Sequence, residues 1–167
     1  STAPNELDMT AEEFNTYLAD DGIPDILALR ATNGLLGQKA RERYHKHVKG
    51  IFQVGDARTD TWKKELGYPA ELVPTTNPYD AKRGSVLAFR CLVDGKPAAN
   101  QLVMIGGRHL DESRLPMLST RCDAQGVVRV TLTAAGTWYV KFVHMEPVTD
   151  AKVNYESKWA SVTFAVK

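Results

Sequence analysis

Val86-Leu-Ala-Phe-Arg-Cys-Leu-Val93, closed by Asp94-Gly95, decides how this chain is read. Successive residues of the run turn to opposite faces, and Asp-Gly supplies the positive φ angles of a tight hairpin turn. The same grammar recurs downstream. Asp123-Ala-Gln-Gly126 leads into Val127 to Leu132, Ala135-Gly136 leads into Thr137 to His144, and Trp159 to Val166 forms a last run. Turn signals at this spacing predict an antiparallel β-sandwich over residues 84–167 rather than a βαβ fold. Strand parity then places Leu87, Phe89, Val128, Val130, Leu132, Trp138, Val140, Phe142, Val162 and Phe164 between the two sheets.

Upstream the pattern changes. Thr10-Ala-Glu-Glu13 is a capping box, with Phe14, Tyr17 and Leu18 at helical spacing and Gly22 placed to stop the helix. Pro24 suits the first turn of a second helix that ends at Asn33-Gly34. A third helix is expected from about Gln38 to Gln53, with Tyr44, Val48, Ile51 and Phe52 on one stripe and a basic opposite face. Pro69, Pro74 and Pro78 then allow only short or edge strands. The expected fold is mainly β: a helical segment over 1–55, an extended connector over 56–83, and an immunoglobulin- or prealbumin-like sandwich over 84–167 capped by the helices.

Composition narrows the function classes. In 167 residues, 21 basic side chains face 20 acidic ones, so no global field points to nucleic acid or to a membrane surface. No apolar run approaches the roughly 20 residues that span a bilayer. The chain opens Ser-Thr-Ala-Pro, as expected of a mature product or of a fragment of something longer. Cys91 and Cys122 lack a second cysteine at metal-knuckle spacing. They read either as two unrelated buried thiols or as a disulfide between strands.

Few residues offer chemistry. On a helix, His45 and His47 would point roughly 200° apart and could not share an ion, which leaves a solvated basic face. His109 lies in a polar loop with Asp111 and Glu112, either a plain loop or a cation site. His144 shares parity with Trp138, Val140 and Phe142 and should point inward, either as a hydrogen-bonded structural residue or as a metal ligand. A hairpin between the last two strands would bring Glu156 to its end of the sheet. Arg41, Arg43 and Lys49 suit either an anion or an interface with acidic residues. There is no Gly-x-Ser-x-Gly, no Walker loop and no His-Glu-x-x-His, and Ser113 and Ser119 near His109 do not make a triad. An enzyme is not expected.

Asp94-Gly-Lys-Pro97, Leu102 to Ile105, Thr120 to Asp123 and Gly136-Thr-Trp-Tyr-Val140 resemble the prealbumin-like modules of carboxypeptidase regulatory domains. More widely, Phe14 to Leu18, Arg41 to Tyr44, Gln53-Val-Gly55, Glu71 to Pro74, Asn77-Pro-Tyr79, Phe142 to Met145 and Glu156 to Phe164 resemble a periplasmic domain-of-unknown-function family labelled a nickel-uptake component of NikM type. The resemblance implies a non-enzymatic periplasmic protein that binds or delivers a transition metal, nickel or cobalt, to a membrane transport component. The candidate ligands that the residues themselves offer are His144, Glu156, His109 and Asp111. The resemblance also implies an oxidising compartment in which Cys91 and Cys122 bond. Family members usually carry a further N-terminal β-domain with a His-rich motif, and the resemblance makes that domain the alternative expected partner of these residues. The alternative is a structural or protein-interaction β-sandwich without a ligand.

Overall fold

The computed structural model describes residues 1–167. In chain order the strands and helices are β1 (Asn5–Met9), α1 (Ala11–Asp20), α2 (Pro24–Thr32), β2 (Ala40–Ile51), β3 (Ala70–Pro74), β4 (Val86–Val93), β5 (Lys96–Pro97), β6 (Leu102–Arg108), β7 (Leu118–Arg121), β8 (Val127–Thr131), β9 (Gly136–Pro147) and β10 (Tyr155–Val166). The chain is mainly β, with two helices and two open sheets.

One sheet has six strands in the order β1-β2-β10-β9-β6-β7. All its pairings are antiparallel except β2 with β10, which run parallel from Glu42↔Tyr155 to Ile51↔Phe164. The second sheet is built on β4, with β3 on one edge and β8 and β5 sharing the other. Asp94 and Gly95 have φ of 49° and 75°, the pair of left-handed conformations that a two-residue hairpin turn requires.

Residues of both sheets meet in one apolar cluster of 20 side chains. The ten positions expected from strand parity all belong to it. Trp138, Val140 and Phe142 point into this cluster from β9. Val143 and Met145, on the opposite face of the same strand, join Phe14, Leu18, Ile23 and Ile26 of the helical layer in a second cluster. A strand buried on both faces is why β9 reads as an almost continuous apolar run.

The helical layer begins as the capping box requires: Glu13 N–H donates to Thr10 Oγ1 (3.3 Å) and Thr10 N–H donates to Glu13 Oε2 (2.8 Å). Arg30 is buried under α2 and lies over the Phe14 ring. Its guanidinium donates to Asn15 Oδ1, Tyr155 Oη and the Leu35 and Gln38 carbonyls, which ties the end of α2 to β10.

The expected third helix does not form. Residues 40–51 are the strand β2, so 1–55 contributes two helices and two strands rather than a helical segment. Alanine, arginine, glutamate and lysine favour a helix locally. Ten consecutive pairings with β10 and five with β1 override that preference by giving the backbone its partners in a sheet. Within 56–83, expected as an extended connector, the edge strand β3 is buried along all five residues, and short 3-10 turns stand at Thr61–Lys63 and Pro78–Asp80.

Candidate functional site

Because β2 is a strand, its odd-numbered side chains share one face, turned toward the second sheet. Arg41, Arg43, His45, His47 and Lys49 form a row along it. Most of the row is neutralised by acid. Arg41 lies 3.4 Å from Glu6 and 3.5 Å from Asp8, and Arg43 lies 3.1 Å from Glu6 and 3.2 Å from Asp150. Lys49 forms a buried ion pair with Glu71, whose carboxylate also accepts the backbone N–H groups of Leu66, Gly67 and Tyr68. Burial works to raise the Glu71 pKa, but Lys49 and these amides outweigh it and hold the carboxyl below its usual range. Arg41, Arg43 and Lys49 are therefore structural cations, each already provided with a carboxylate.

Between the arginines and Lys49 the row changes character. His45 Nε2 sits 3.8 Å from Glu156 Oε1, and the His45 and His47 rings have centroids 6.3 Å apart. Tyr68 stacks on the other side of His47 at 5.4 Å. His47 is 3 % exposed, its Nδ1 lies 2.9 Å from Ser1 Oγ, and its Nε2 is buried with no hydrogen-bond partner. Burial first, then the charge of His45, lowers the His47 pKa and favours the neutral ring. When Nδ1–H donates to the Ser1 hydroxyl, Nε2 presents a lone pair, the form in which imidazole ligates a metal.

The four metal candidates read from the sequence do not converge. His144 and Glu156 lie at the same end of the β9–β10 pair, but His144 stands opposite Lys158 and Glu156 turns to His45. His144 Nδ1 is 3.2 Å from Gln101 Oε1. Gln101 spends its amide N–H groups on the Leu102 and Val143 carbonyls, both at 3.1 Å, so its oxygen accepts and His144 Nδ1 carries the proton. The ring borders a cleft of about 390 Å³ with Val93, Pro97 and Asn100. Burial lowers its pKa, where a neighbouring Glu156 would have been expected to favour the charged form. His109 and Asp111 lie past β6, whose end pairs with the opposite end of β9, and Asp111 Oδ1 accepts from Ser113 N–H and Oγ–H. No three histidine, cysteine, aspartate or glutamate side chains are grouped to hold a metal ion.

The cysteines do come together, as free thiols. The Cys91 thiol donates to Cys122, which raises the former's pKa and lowers the latter's to about 7, while Cys122 Sγ also contacts the Ala98 carbonyl at 2.8 Å. The expected disulfide is not formed, although its two partners are neighbours in the core.

On the opposite face of β2, Glu42 is buried and accepts from Tyr17 Oη (3.0 Å) and Ser157 Oγ. Burial raises its pKa against those two hydrogen bonds. Sequence reading passed over Glu42 and set His47 aside as part of a solvated basic helix face, because each is placed by the sheet. The signal that could have found them is the period-2 separation of Ala40, Glu42 and Tyr44 from Arg41, Arg43 and His45.

No helix is long and apolar enough to cross a membrane. No curated protein matches the chain. One family model does, over residues 8–146, a span that takes in both helices, β2, the second sheet and most of β9. The chain belongs to the family described as a domain of unknown function, DUF4198.

Proposed function

We propose that this protein is a non-enzymatic, extracytoplasmic accessory protein that holds a late transition-metal ion as cargo, nickel or cobalt, on the His45–His47 face of β2. Its two sheets serve as a prealbumin-like sandwich that fixes this face. The reading rests on one observation: His47 Nε2 is buried, unpartnered and beside a second imidazole. A buried nitrogen without a partner is costly unless something completes it. Imidazole is a preferred ligand for such ions. His45 and His47 would hold the ion, and water or a transport partner would supply the remaining ligands.

Calorimetric titration of untagged protein with nickel, cobalt, copper and zinc ions tests this. One ion should bind, and His45→Gln or His47→Gln should each weaken it by about tenfold or more. His144→Gln and His109→Gln should leave the affinity as it is. A parent protein that binds none of the four ions, or a loss that follows His144 instead, would overturn the reading.

A second reading is a protein-interaction module without a ligand. It is favoured by three exposed apolar side chains at the end of β2: Val48, Phe52 and Val54.

A further inference from the structure

Past the end of β6 the chain turns back on itself and sets two arginines face to face. Arg108 and Arg114 form an antiparallel bridge, and on the other edge of β6 Arg108 pairs with Thr137 of β9. The three side chains therefore stand in one row across adjacent strands. They lie on the face of the six-stranded sheet opposite Trp138 and Val140, which point into the core. Tyr139 is the next residue of β9 on that outer face. Its ring lies across Gly106, where any Cβ would collide with the phenol. The Tyr139 hydroxyl finds only the Met117 thioether, at 3.7 Å, a weak acceptor.

Like charges directly opposite each other on a sheet repel. Only Arg108 has any relief: its Nη1 donates to the Glu112 carbonyl at 2.8 Å, and its Nε lies 4.0 Å from the Glu112 carboxylate. Arg114 takes part in no ion pair and no side-chain hydrogen bond. Both arginines border a cavity of about 470 Å³ that Thr137, Tyr139, Leu115 and Met117 complete. No side-chain carboxylate or amide oxygen lines it, so its polar side chains have donors to offer and no acid to take them.

We propose that this cavity binds a small organic carboxylate, held by Arg108 and Arg114 with its apolar body against Leu115, Met117 and the Tyr139 ring. Guanidinium forks match the two oxygens of a carboxylate, and the Thr137 and Tyr139 hydroxyls can donate to the same group. Charge selects the class. Two arginines and Glu112 leave a single positive charge at the site, which suits a carboxylate rather than a phosphate dianion. The bound anion also relieves the repulsion between the opposed arginines. The apolar wall favours an organic acid over a bare inorganic ion. The site lies on the face of the sheet opposite His45 and His47, and it depends on neither the metal nor the interaction reading.

The probe is phenylacetate, titrated into isotope-labelled full chain at constant ionic strength and followed by amide shifts. Phenylacetamide serves as its uncharged counterpart and inorganic phosphate as the competing anion. Phenylacetate should give saturable shifts at Arg108, Leu115, Thr137 and Tyr139 and bind about tenfold or more tighter than phenylacetamide. Arg114→Gln should weaken it about tenfold or more while melting no lower than the parent, because a like-charge contact is lost. Lys82→Gln removes the same charge from an exposed position away from the cavity and should leave the affinity as it is. The proposal fails if phenylacetate gives no saturable shift, if phenylacetamide binds as well, or if Lys82→Gln weakens binding as much as Arg114→Gln. Phosphate bound more tightly than phenylacetate at these residues would also overturn it, by making the site one for phosphoryl groups.

Discussion

His45 and His47 stand two residues apart on the same face of β2, with ring planes inclined by 25° and Glu156 of the parallel neighbour β10 within 3.8 Å of His45. On a helix the same two residues would diverge by roughly 200°. The difference between a solvated basic face and a two-imidazole site is thus the difference between a rotation of 100° per residue and one of 180°. Within Ala40 to Ile51 only the weak period-2 separation of Ala40, Glu42 and Tyr44 from Arg41, Arg43 and His45 points to the second geometry, against a helix-favouring composition. It exists because β1 and β10 recruit the segment from both sides.

The buried pair of Lys49 and Glu71 should be costly to break. Glu71 is 2 % exposed, and its carboxylate organises three amides of the segment before β3. Lys49→Met strands that charge and should cost about 3–5 kcal/mol in chemical denaturation. Adding Glu71→Gln to Lys49→Met should recover part of the loss, because no unpaired charge is left. Equal, additive losses from the two changes would mean that the pair is not coupled.

His144 gives acid sensitivity of a definite sign. Burial holds its folded pKa below the unfolded value of about 6.5, so the folded chain binds fewer protons than the unfolded one in the window beneath that value. The contribution is fully present above about pH 6.5 and is lost as the pH falls toward the folded pKa. Glu42, whose pKa burial raises, works in the opposite sense and begins to act nearer the ordinary carboxylate range. His144→Gln should flatten the fall in melting temperature between about pH 7 and pH 5.5, and lower the melting temperature at pH 7 through its altered bond to Gln101. An unchanged slope would assign the acid sensitivity to other groups.

Register in the second sheet can be checked by neighbours of opposite parity. Val130 pairs with Leu87 and is buried, while Arg129 pairs with Ala88, is exposed and reaches Asp123 at 3.3 Å. Val130→Asp places an uncompensated charge in the shared core and should prevent folding, at a cost above about 4 kcal/mol. Arg129→Asp should stay within about 1 kcal/mol of the parent. Similar melting of the two variants would contradict the register.

The cysteine pair should titrate as two free thiols after unfolding without reductant, and alkylation should label both. Because they are neighbours in the folded core, treatment of the native protein with a small disulfide oxidant should give an intramolecular bond, read as a mass lower by two hydrogens. In the chain-entropy view that bond would stabilise by about 3–4 kcal/mol, less any strain of forming it. Mixed disulfides or covalent dimers in its place would show that the two thiols do not meet in solution.

The sequence by itself determined whatever is local or periodic. The capping box at Thr10, the Asp94-Gly95 turn and the alternation of β4, β8, β9 and β10 were legible because hydrogen bonding within a few residues and strand parity act inside a single segment. The tertiary structure alone decided the state of residues 40–51, the parallel pairing of β2 with β10, and the company each histidine keeps. Glu156 went to His45 rather than His144 because β2, whose residues pair with β10 positions 113 further along the chain, lies next to β10. Long-range backbone pairing outweighed local helix preference there, and no window of neighbouring residues contains that term.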